Sequence, residues 1–368
     1  MLSLNFVILI GVVCFIISFK IKILEKIGVI YLILISSLRY NYGGDYAAYY
    51  NYFINIDNNF FNFEIGYFWL NKLFRYFSSN FNLFLMLVST FNILTFYIII
   101  KKFFYNKVRQ LMILYLLGYY SFLFQLVIIR QSIAISIFFI SIIFLEKKKV
   151  FIYLLLILFA SLFHKPIILL AGLYITCYDR FFERKFLISC FFILISLYFF
   201  PNIFYFKIFS YISLEKYYYV YFEKDNIGLN YYFLLIIINF VLLCKKEILN
   251  NKKLRIYFFM ALLYNYFQMW GTKGQWLERM SFYMVHPYII YLYFSFKLMN
   301  KYLLIMLYLF FYLKLNIIFY QNSDNYFYNK FRIIYFEKKI EFEKIKKFKI
   351  KKDLQKYRGE KYHKTFKE

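Results

Sequence analysis

Acidic residues, cysteines and cofactor motifs are scarce in this sequence. The chain has 19 Asp and Glu against 46 Lys and Arg. Its cysteines show neither metal-ligand spacing nor pairing, and they stand at Cys14, Cys177, Cys190 and Cys244. The chain contains no glycine-rich phosphate loop, no His-Glu-x-x-His and no Asp-x-Asp pair. The sequence therefore gives no support to nucleotide binding or to a metal-dependent sugar-nucleotide transferase, and we expect no cofactor and no metal.

Apolar residues dominate instead. They make up 63% of the chain, and Phe, Tyr and Trp alone make up 26% of the chain. Apolar runs recur almost from end to end between short charged breaks. The runs are long enough, at about 15 to 20 residues, for membrane helices, and too uniformly apolar for alternating membrane strands. We predict an all-α, polytopic integral membrane protein with about 11 to 12 transmembrane helices and outer-face loops.

The predicted spans follow the apolar runs. They are residues 2–19, 27–38, 80–100, 111–125, 127–145, 150–163 with 166–178, 186–206, 229–244, 254–270, 281–299 and 302–320. Because the run 111–145 exceeds one crossing of about 20 residues, Arg130 and Gln131 mark either a turn or a long tilted helix. The first span lacks the features of a cleaved signal peptide. The predicted domains are a multi-pass domain over 1–320 and a basic tail over 321–368.

Lysine and arginine in the breaks predict the orientation. One alternate set of breaks, which includes 146–149 and 245–255, holds 20 Lys and Arg against five acids and is expected to face the cytoplasm. The other set includes 39–79 and 207–228, holds ten against seven, and is expected to face outward. The tail carries 15 Lys and Arg, which favours the inside, whereas the span count leaves it outside. We read the net charge of +27 as a match to anionic lipid rather than to nucleic acid.

Three ionisable residues stand within apolar runs, where a charge costs on the order of 3 kcal/mol. They are Arg130, His164 and Lys165. Both Arg130 and His164 are separated from the basic break 146–149 by about one span, which corresponds to a rise of roughly 23 Å at about 1.5 Å per residue. A helical hairpin is expected to bring them to one height on the outer side.

Several segments together resemble a known family. They are "RYNYGGDYAAYYNYF" (39–53), "FEIGYFWLNKLFRYF" (63–77), "IRQSIAISIFFISIIFLEKKKVFIYLLLILFASLFHKPIILL" (129–170) and, more weakly, "WLERMSFYMVHPYIIYLY" (276–293). Their order and spacing are similar to those of the EpsG-like branch of Wzy-type polysaccharide polymerases. This chain has Gly43-Gly44-Asp45 where that family commonly has Gly-Thr-Asp, and Lys165 where it often has Ser after the histidine.

The resemblance implies a metal-independent glycosyltransferase on the outer face of the bacterial inner membrane. Such enzymes join polyprenyl-diphosphate-linked oligosaccharide repeat units, so the implied partners are that lipid-linked glycan, membrane lipid, a flippase and a chain-length regulator, with no nucleic acid. A leaving diphosphate is stabilised by guanidinium groups, for which Arg39, Arg130 and Arg279 are the candidates. The acceptor hydroxyl needs a base, for which we favour His164 and then Asp45.

Further substrate contacts are expected from Glu64, Lys165 and the tyrosines, among which Tyr46 and Tyr49 offer ring faces to sugars. Simpler roles stand beside these. The tyrosines also suit interfacial anchors, and the arginines suit cations that extend from span ends to water. In the same way, His164 suits a helix end, Asp45 a turn and Glu64 a helix cap. Alternative functions are a related polysaccharide ligase, a lipid-linked oligosaccharide flippase or transporter, and a structural partner of an export complex.

Overall fold

The computed structural model describes residues 2–40, 42–43, 45–58, 63–118, 121–178, 252–271, 275–299 and 330–333. This part of the chain is mostly helical. The predicted spans 186–206, 229–244 and 302–320 lie outside the described residues, as do the predicted outer segment 207–228 and the tail after residue 333. The chain divides into two compact units, residues 1–133 with 308–368, and residues 134–307.

The first unit is built on helices that follow the apolar runs. They are α1 (Leu4–Ile17), α2 (Ile23–Leu38), α3 (Tyr46–Ile54), α4 (Ile65–Phe77), α5 (Phe81–Phe103), α6 (Val108–Leu117) and α7 (Phe122–Val127), and α8 (Ile129–Glu146) begins in this unit. Helix α1 packs on α2 and α6, and α2 packs on α5. The short helices α3 and α4 form within the predicted outer segment 39–79.

Two described helices have the length and apolar character needed to cross a membrane, α5 and α8. They correspond to the predicted spans 80–100 and 127–145. Shorter apolar segments are Phe6–Ile17, Val150–Ser161 and Lys165–Cys177. The 23 residues of α5 rise roughly 35 Å, which exceeds the thickness of a bilayer's hydrocarbon core.

The apolar run 111–145 is not divided where we expected. Helix α6 ends at Leu117 before Gly118, and the hydroxyl of Ser121 donates to the Gly118 carbonyl at 2.5 Å, so the predicted span 111–125 is not one helix. The second break falls at Ile128, and Arg130 and Gln131 lie in the first turn of α8. A serine side chain that binds carbonyls at a helix end replaces helical hydrogen bonds, which explains the earlier break.

A small antiparallel sheet accompanies the helices, which the all-α prediction did not include. Its strands are β1 (Leu2–Ser3), β2 (Arg39–Tyr40) and β3 (Lys330–Ile333), in the order β1-β3-β2. The hairpin of α1 and α2 brings the start of α1 and the end of α2 to the same end of the unit. The strands β1 and β2, which adjoin these two helix ends, both pair with β3. In this register Leu2 pairs with Phe331 and Tyr40 pairs with Arg332.

The second unit contains the remainder of α8 and the segments that follow it. They are α9 (Val150–Ser161), a 3₁₀ helix (Lys165–Cys177), α10 (Lys252–Gly271), α11 (Gln275–Phe282) and α12 (Val285–Met299). Helix α10, which corresponds to the predicted span 254–270, packs on α11 and α12. The predicted span 281–299 starts later, at Val285, because the chain turns at Tyr283 and Met284.

Candidate functional site

An ion pair joins the first turn of α8 to the start of α4. The Arg130 Nη1 donates to Glu64 Oε2, and the two side chains are 23% and 12% exposed. Glu64 does occupy the N-cap position of α4, but its side chain makes no capping hydrogen bond. Its carboxylate therefore serves as the counter-ion of Arg130.

Aromatic rings surround the Arg130 guanidinium. Its Cζ lies 4.1 Å from the ring centroid of Phe63 and 5.9 Å from that of Tyr49. The Phe63 ring also contacts Tyr52 at 4.5 Å, and Tyr52 stacks on Tyr67 at 5.8 Å. Cation–π contacts of this kind contribute about 0.5 to 2 kcal/mol each, the more so where water is excluded. These aromatic rings therefore hold the Arg130 guanidinium in place without neutralising its charge.

The tyrosines near Arg130, which are Tyr49, Tyr52 and Tyr67, stay protonated. Burial raises the pKa of Tyr49 to about 12, although Arg130 acts in the opposite direction. Burial also raises the pKa of Tyr52 to about 12 and that of Tyr67 well above its usual value. At neutral pH these side chains are therefore neutral hydroxyl groups, which can donate hydrogen bonds.

Arg39 is a buried cation in the same unit. It follows α2 directly and is 1% exposed. Its Nη1 donates to the Ser36 carbonyl and to Ser89 Oγ, the latter at 3.3 Å. Within the described residues no carboxylate oxygen lies within 4 Å of it. Burial lowers the pKa of Arg39 to about 10, so it remains charged at neutral pH.

Several buried donors of this unit have no acceptor in the part of the chain that the structure describes. Among them are Arg39 Nε, Arg130 Nε, Tyr52 Oη and Tyr67 Oη. A buried polar group without a partner costs about 1 to 3 kcal/mol, so a bound ligand that accepts hydrogen bonds from these donors would offset that cost. We name the residues Arg39, Tyr52, Glu64, Tyr67 and Arg130 the arginine cluster.

Polar side chains of α5 connect this region to its neighbours. Ser89 accepts from Arg39, and Asn92, one helical turn later, donates from Nδ2 to Ser132 Oγ at 2.8 Å. Ser89, Asn92 and Ser132 are all buried. The α5 face that meets α2 and α8 is therefore polar at this level, which fixes the position of the arginine cluster relative to three helices.

The glycine and tyrosine segment before α3 is packed tightly. Gly43 has a φ of +83°, and a Cβ added there would lie 2.7 Å from Val127 Cγ2, so the position requires glycine. Asp45 stands at the N-cap position of α3, is exposed and makes no capping bond. Tyr46 and Tyr49 are buried, and Tyr46 packs on Phe81 at 5.6 Å, so their rings lie in the core, and their contact with sugars stays a prediction.

The second unit holds His164 where α9 ends. The His164 backbone is extended, at φ −155° and ψ 103°, and its amide donates to the Ala160 carbonyl at 3.1 Å. Pro166 then prevents the helix from continuing. The Nδ1 of His164 is hydrogen bonded to the hydroxyl of Tyr283. His164 is half-buried, and Lys165 beside it is exposed.

Arg279 belongs to the same unit as His164. It lies on α11, is exposed, and precedes Tyr283 by four residues. Beyond it, Ser281 donates to the Glu278 carbonyl at 2.6 Å and accepts from Gln268 Nε2 at 2.6 Å. These bonds attach the end of α11 to α10, and they fix the turn that carries Tyr283.

Comparison with known proteins gives the family. The family model described as the EpsG family matches residues 22–332, which is most of the chain. The protein belongs to the EpsG family. EpsG is a Wzy-like polysaccharide polymerase family, so the family resemblance seen in the sequence is confirmed. Neither the comparison with curated proteins nor that with solved structures found a match.

The structure of this EpsG-family protein groups the candidate residues into two sets. Arg39, Arg130, Glu64, Tyr46 and Tyr49 lie in the first unit, where Arg130 pairs with Glu64 and contacts the Tyr49 ring. The second unit contains His164, Lys165 and Arg279. Since Arg130 and His164 fall in different units, their expected placement at one height stays a prediction. Within the described residues no group of three or more His, Cys, Asp or Glu is arranged to hold a metal.

Two contributors were missed in the sequence of this EpsG-family chain. Phe63 directly precedes Glu64, and its ring is the nearest to Arg130. Tyr283 lies in the segment "WLERMSFYMVHPYIIYLY", four residues after Arg279, and this spacing from a candidate residue was the signal that could have identified it. Among 42 tyrosines and 52 phenylalanines, neither residue type distinguishes a site from the core.

Proposed function

We propose that this EpsG-family protein polymerises polyprenyl-diphosphate-linked oligosaccharide repeat units as a multi-pass enzyme on the outer face of the bacterial inner membrane. The observation that carries the proposal is the arginine cluster, in which Arg39 Nε, Arg130 Nε, Tyr52 Oη and Tyr67 Oη have no hydrogen-bond acceptor within the described residues. Of its two guanidinium groups, that of Arg130 is paired with Glu64, and that of Arg39 has no carboxylate oxygen within 4 Å among the described residues. A diphosphate supplies both the missing negative charge and the missing acceptors.

The chemistry assigns each group a task. The acceptor hydroxyl loses its proton to His164 while its oxygen attacks the anomeric carbon of the donor sugar. The bond from that carbon to the diphosphate oxygen breaks, and the electron pair leaves with the diphosphate. Arg39 and Arg130 stabilise the charge that grows on this leaving group, and guanidinium groups suit the task because they bind phosphate oxygens in bidentate fashion.

The remaining candidates support these steps. Asp45 is the second candidate base, because it is exposed and precedes the helix that carries Tyr49. Lys165 and Arg279 are exposed cations of the second unit that we assign to the outer parts of the lipid-linked substrate. In this proposal guanidinium groups take the place of a metal ion. Polymerisation by the purified enzyme is therefore expected to persist in EDTA.

Deletion of the gene tests the proposal. A polymerase defect is expected to leave single lipid-linked repeat units on the outer face of the membrane. Accumulation of full-length lipid-linked polymer would indicate a ligase, and retention of single units on the inner face would indicate a flippase. Purified protein given lipid-linked repeat units must then lengthen them, and failure to do so under conditions that preserve the fold would contradict the proposal.

Labelling of single cysteines tests the assignment to the outer face. In a background without the four native cysteines, Asp57→Cys is expected to react with a membrane-impermeant thiol reagent in intact cells, whereas Lys147→Cys is expected to react only after lysis. Both native residues are exposed, so access to the thiol depends on the side of the membrane. The opposite pattern would place the arginine cluster on the cytoplasmic side.

A further inference from the structure

Tyr283 is a tyrosine whose hydroxyl group is buried in a turn. It lies in the turn between α11 and α12 and is fully buried. The turn is held by the Met284 amide, which donates to the Ser281 carbonyl at 2.8 Å, and by the bond of Gln268 to Ser281. A buried phenol hydroxyl requires a hydrogen-bond partner, and here that partner is His164 Nδ1.

The contact joins segments that are distant in sequence. His164 and Tyr283 are 119 residues apart, and their ring centroids lie 5.8 Å apart. Each residue is held independently, His164 by the end of α9 and by Pro166, Tyr283 by the turn after α11. The hydrogen bond therefore fixes the rotation of the imidazole ring, and Nε2 becomes the ring nitrogen that faces away from Tyr283.

We propose that Tyr283 is a positioning residue that holds His164 in the tautomer protonated on Nδ1, so that Nε2 accepts the proton of the acceptor hydroxyl. This proposal rests on the proposed function. In this tautomer the Nδ1–H donates to the Tyr283 oxygen, a role open to a phenol oxygen, which accepts as well as donates. The lone pair of the neutral imidazole is then on Nε2, which is the form that a general base needs.

The proton and the electrons balance in this arrangement. The acceptor hydroxyl transfers its proton to Nε2, its oxygen forms the new bond to the anomeric carbon, and the bond to the diphosphate breaks with its electron pair. His164 becomes an imidazolium ion with both nitrogens protonated, and its Nδ1–H remains bonded to Tyr283. The phenol neither gains nor loses a proton. Its contribution is orientation and stabilisation of the charged ring.

The tautomer can be measured without any substrate. The chain has three histidines, His164, His286 and His363, so nitrogen NMR of ¹⁵N-histidine-labelled full-length protein in lipid nanodiscs gives few signals, and His164→Gln assigns those of interest. Above the imidazole pKa, we expect His164 to carry its proton on Nδ1 in the wild type. Tyr283→Phe is expected to shift the population toward the Nε2-protonated form. A proton on Nε2 in the wild type would overturn the proposal and make His164 a donor to the diphosphate.

Kinetics provides the second measurement. Tyr283→Phe is expected to lower kcat roughly 10-fold, equivalent to about 1.4 kcal/mol, with KM for the lipid-linked donor changed less than about 2-fold. Tyr293→Phe is the matched control, since it removes one hydroxyl from another buried ring of the second unit and is expected to leave both constants unchanged. Thermal stability of both variants separates loss of folding from loss of positioning.

The outcomes distinguish this inference from the proposed function. If His164→Gln loses activity while Tyr283→Phe keeps both kcat and the wild-type tautomer, then the positioning role is wrong and the base assignment stands. If His164→Gln polymerises normally, the base assignment itself is wrong. The NMR result would still report whether Tyr283 sets the tautomer, because it does not depend on turnover.

Discussion

The two units place their candidate residues in different surroundings. In the first unit the arginine cluster is buried at Arg39 and half-buried at Arg130, and its one carboxylate, that of Glu64, is already paired. In the second unit His164 has a neutral partner, Tyr283, and the cations Lys165 and Arg279 are exposed. The first arrangement suits an anion that replaces water, and the second suits transfer of a proton.

The same contrast separates two arginines for which one role was predicted from the sequence. Both were expected to bind the diphosphate, yet Arg39 is 1% exposed whereas Arg279 is exposed. A cation at the surface is solvated and screened by salt, so its interaction with a phosphate contributes little. A buried guanidinium without a carboxylate interacts strongly with an anion that enters. We therefore expect the two units to respond differently to substitution.

The largest effect is expected from the residue in each unit that the proposed function assigns to the bond being broken. Both His164→Ala and Arg130→Ala are expected to lower kcat on the order of 10² to 10⁴, as loss of a general base or of charge stabilisation typically does. If both act on one transition state, the double variant is expected to be little worse than either single one. The measurement is polymerisation rate per folded enzyme. Fully multiplicative losses would show that the two units act in separate steps.

A smaller effect is expected from conservative changes at Arg39 and Arg279. Arg39→Lys retains the charge but loses the bidentate geometry, so activity is expected to fall roughly 10- to 100-fold, which corresponds to about 1.5 to 3 kcal/mol. Arg279→Lys is expected to stay within about 2-fold of the wild type and is the matched control. Donor KM and kcat are measured for both. Equal losses at the two positions would contradict the distinction between a buried and an exposed role.

The smallest effect concerns stability of the ion pair. The cycle of Glu64→Gln, Arg130→Met and the double variant is expected to give a coupling of about 1 kcal/mol in the free energy of unfolding, because both side chains retain some exposure. Glu25 and Arg109 provide a control in the same unit, with a separation of 3.2 Å and similar exposures of 14% and 24%. Their cycle is expected to give a similar coupling without loss of polymerase activity.

Should the Glu25 and Arg109 variants also lose polymerisation, the arginine cluster would have no special status in the first unit. Activity that survives in Glu64→Gln would instead show that the counter-ion of Arg130 is dispensable, and that the guanidinium alone is required. Both outcomes are measured in the same membrane preparation as the stability cycle.

Sequence reasoning located long apolar helices better than it located their ends. The predictions for α5 and α10 differ from the observed bounds by a few residues, because apolar length alone defines such helices. Arg130 and Gln131 were expected to mark either a turn or a long tilted helix, and the break falls two residues before Arg130, at Ile128. In the structure the charge is tolerated inside the helix because Glu64 and Phe63 reach it.

Long-range contacts were the part of the site that the sequence did not reveal. Nothing near Glu64 specifies that it pairs with a residue 66 positions later, and a local cap was an equally good reading. Tyr283 and His164 are farther apart still. Such pairs depend on how helices pack, and a chain with 42 tyrosines offers too many equivalent choices. The residue type alone did predict that Arg130, a cation within an apolar run, needs a partner.

The sheet that joins β1, β2 and β3 has a consequence for synthesis of the protein. Strands β1 and β2 emerge early, but β3 comes about 290 residues after β2. At about 5 to 20 residues per second, the ribosome needs roughly 15 to 60 s to supply it. During that time β1 and β2 lack their partner strand β3, and the backbone of Arg39, which belongs to β2, has not yet paired with Ile333. A membrane chaperone or insertase that shields this end of the hairpin until β3 arrives would raise the yield of folded enzyme.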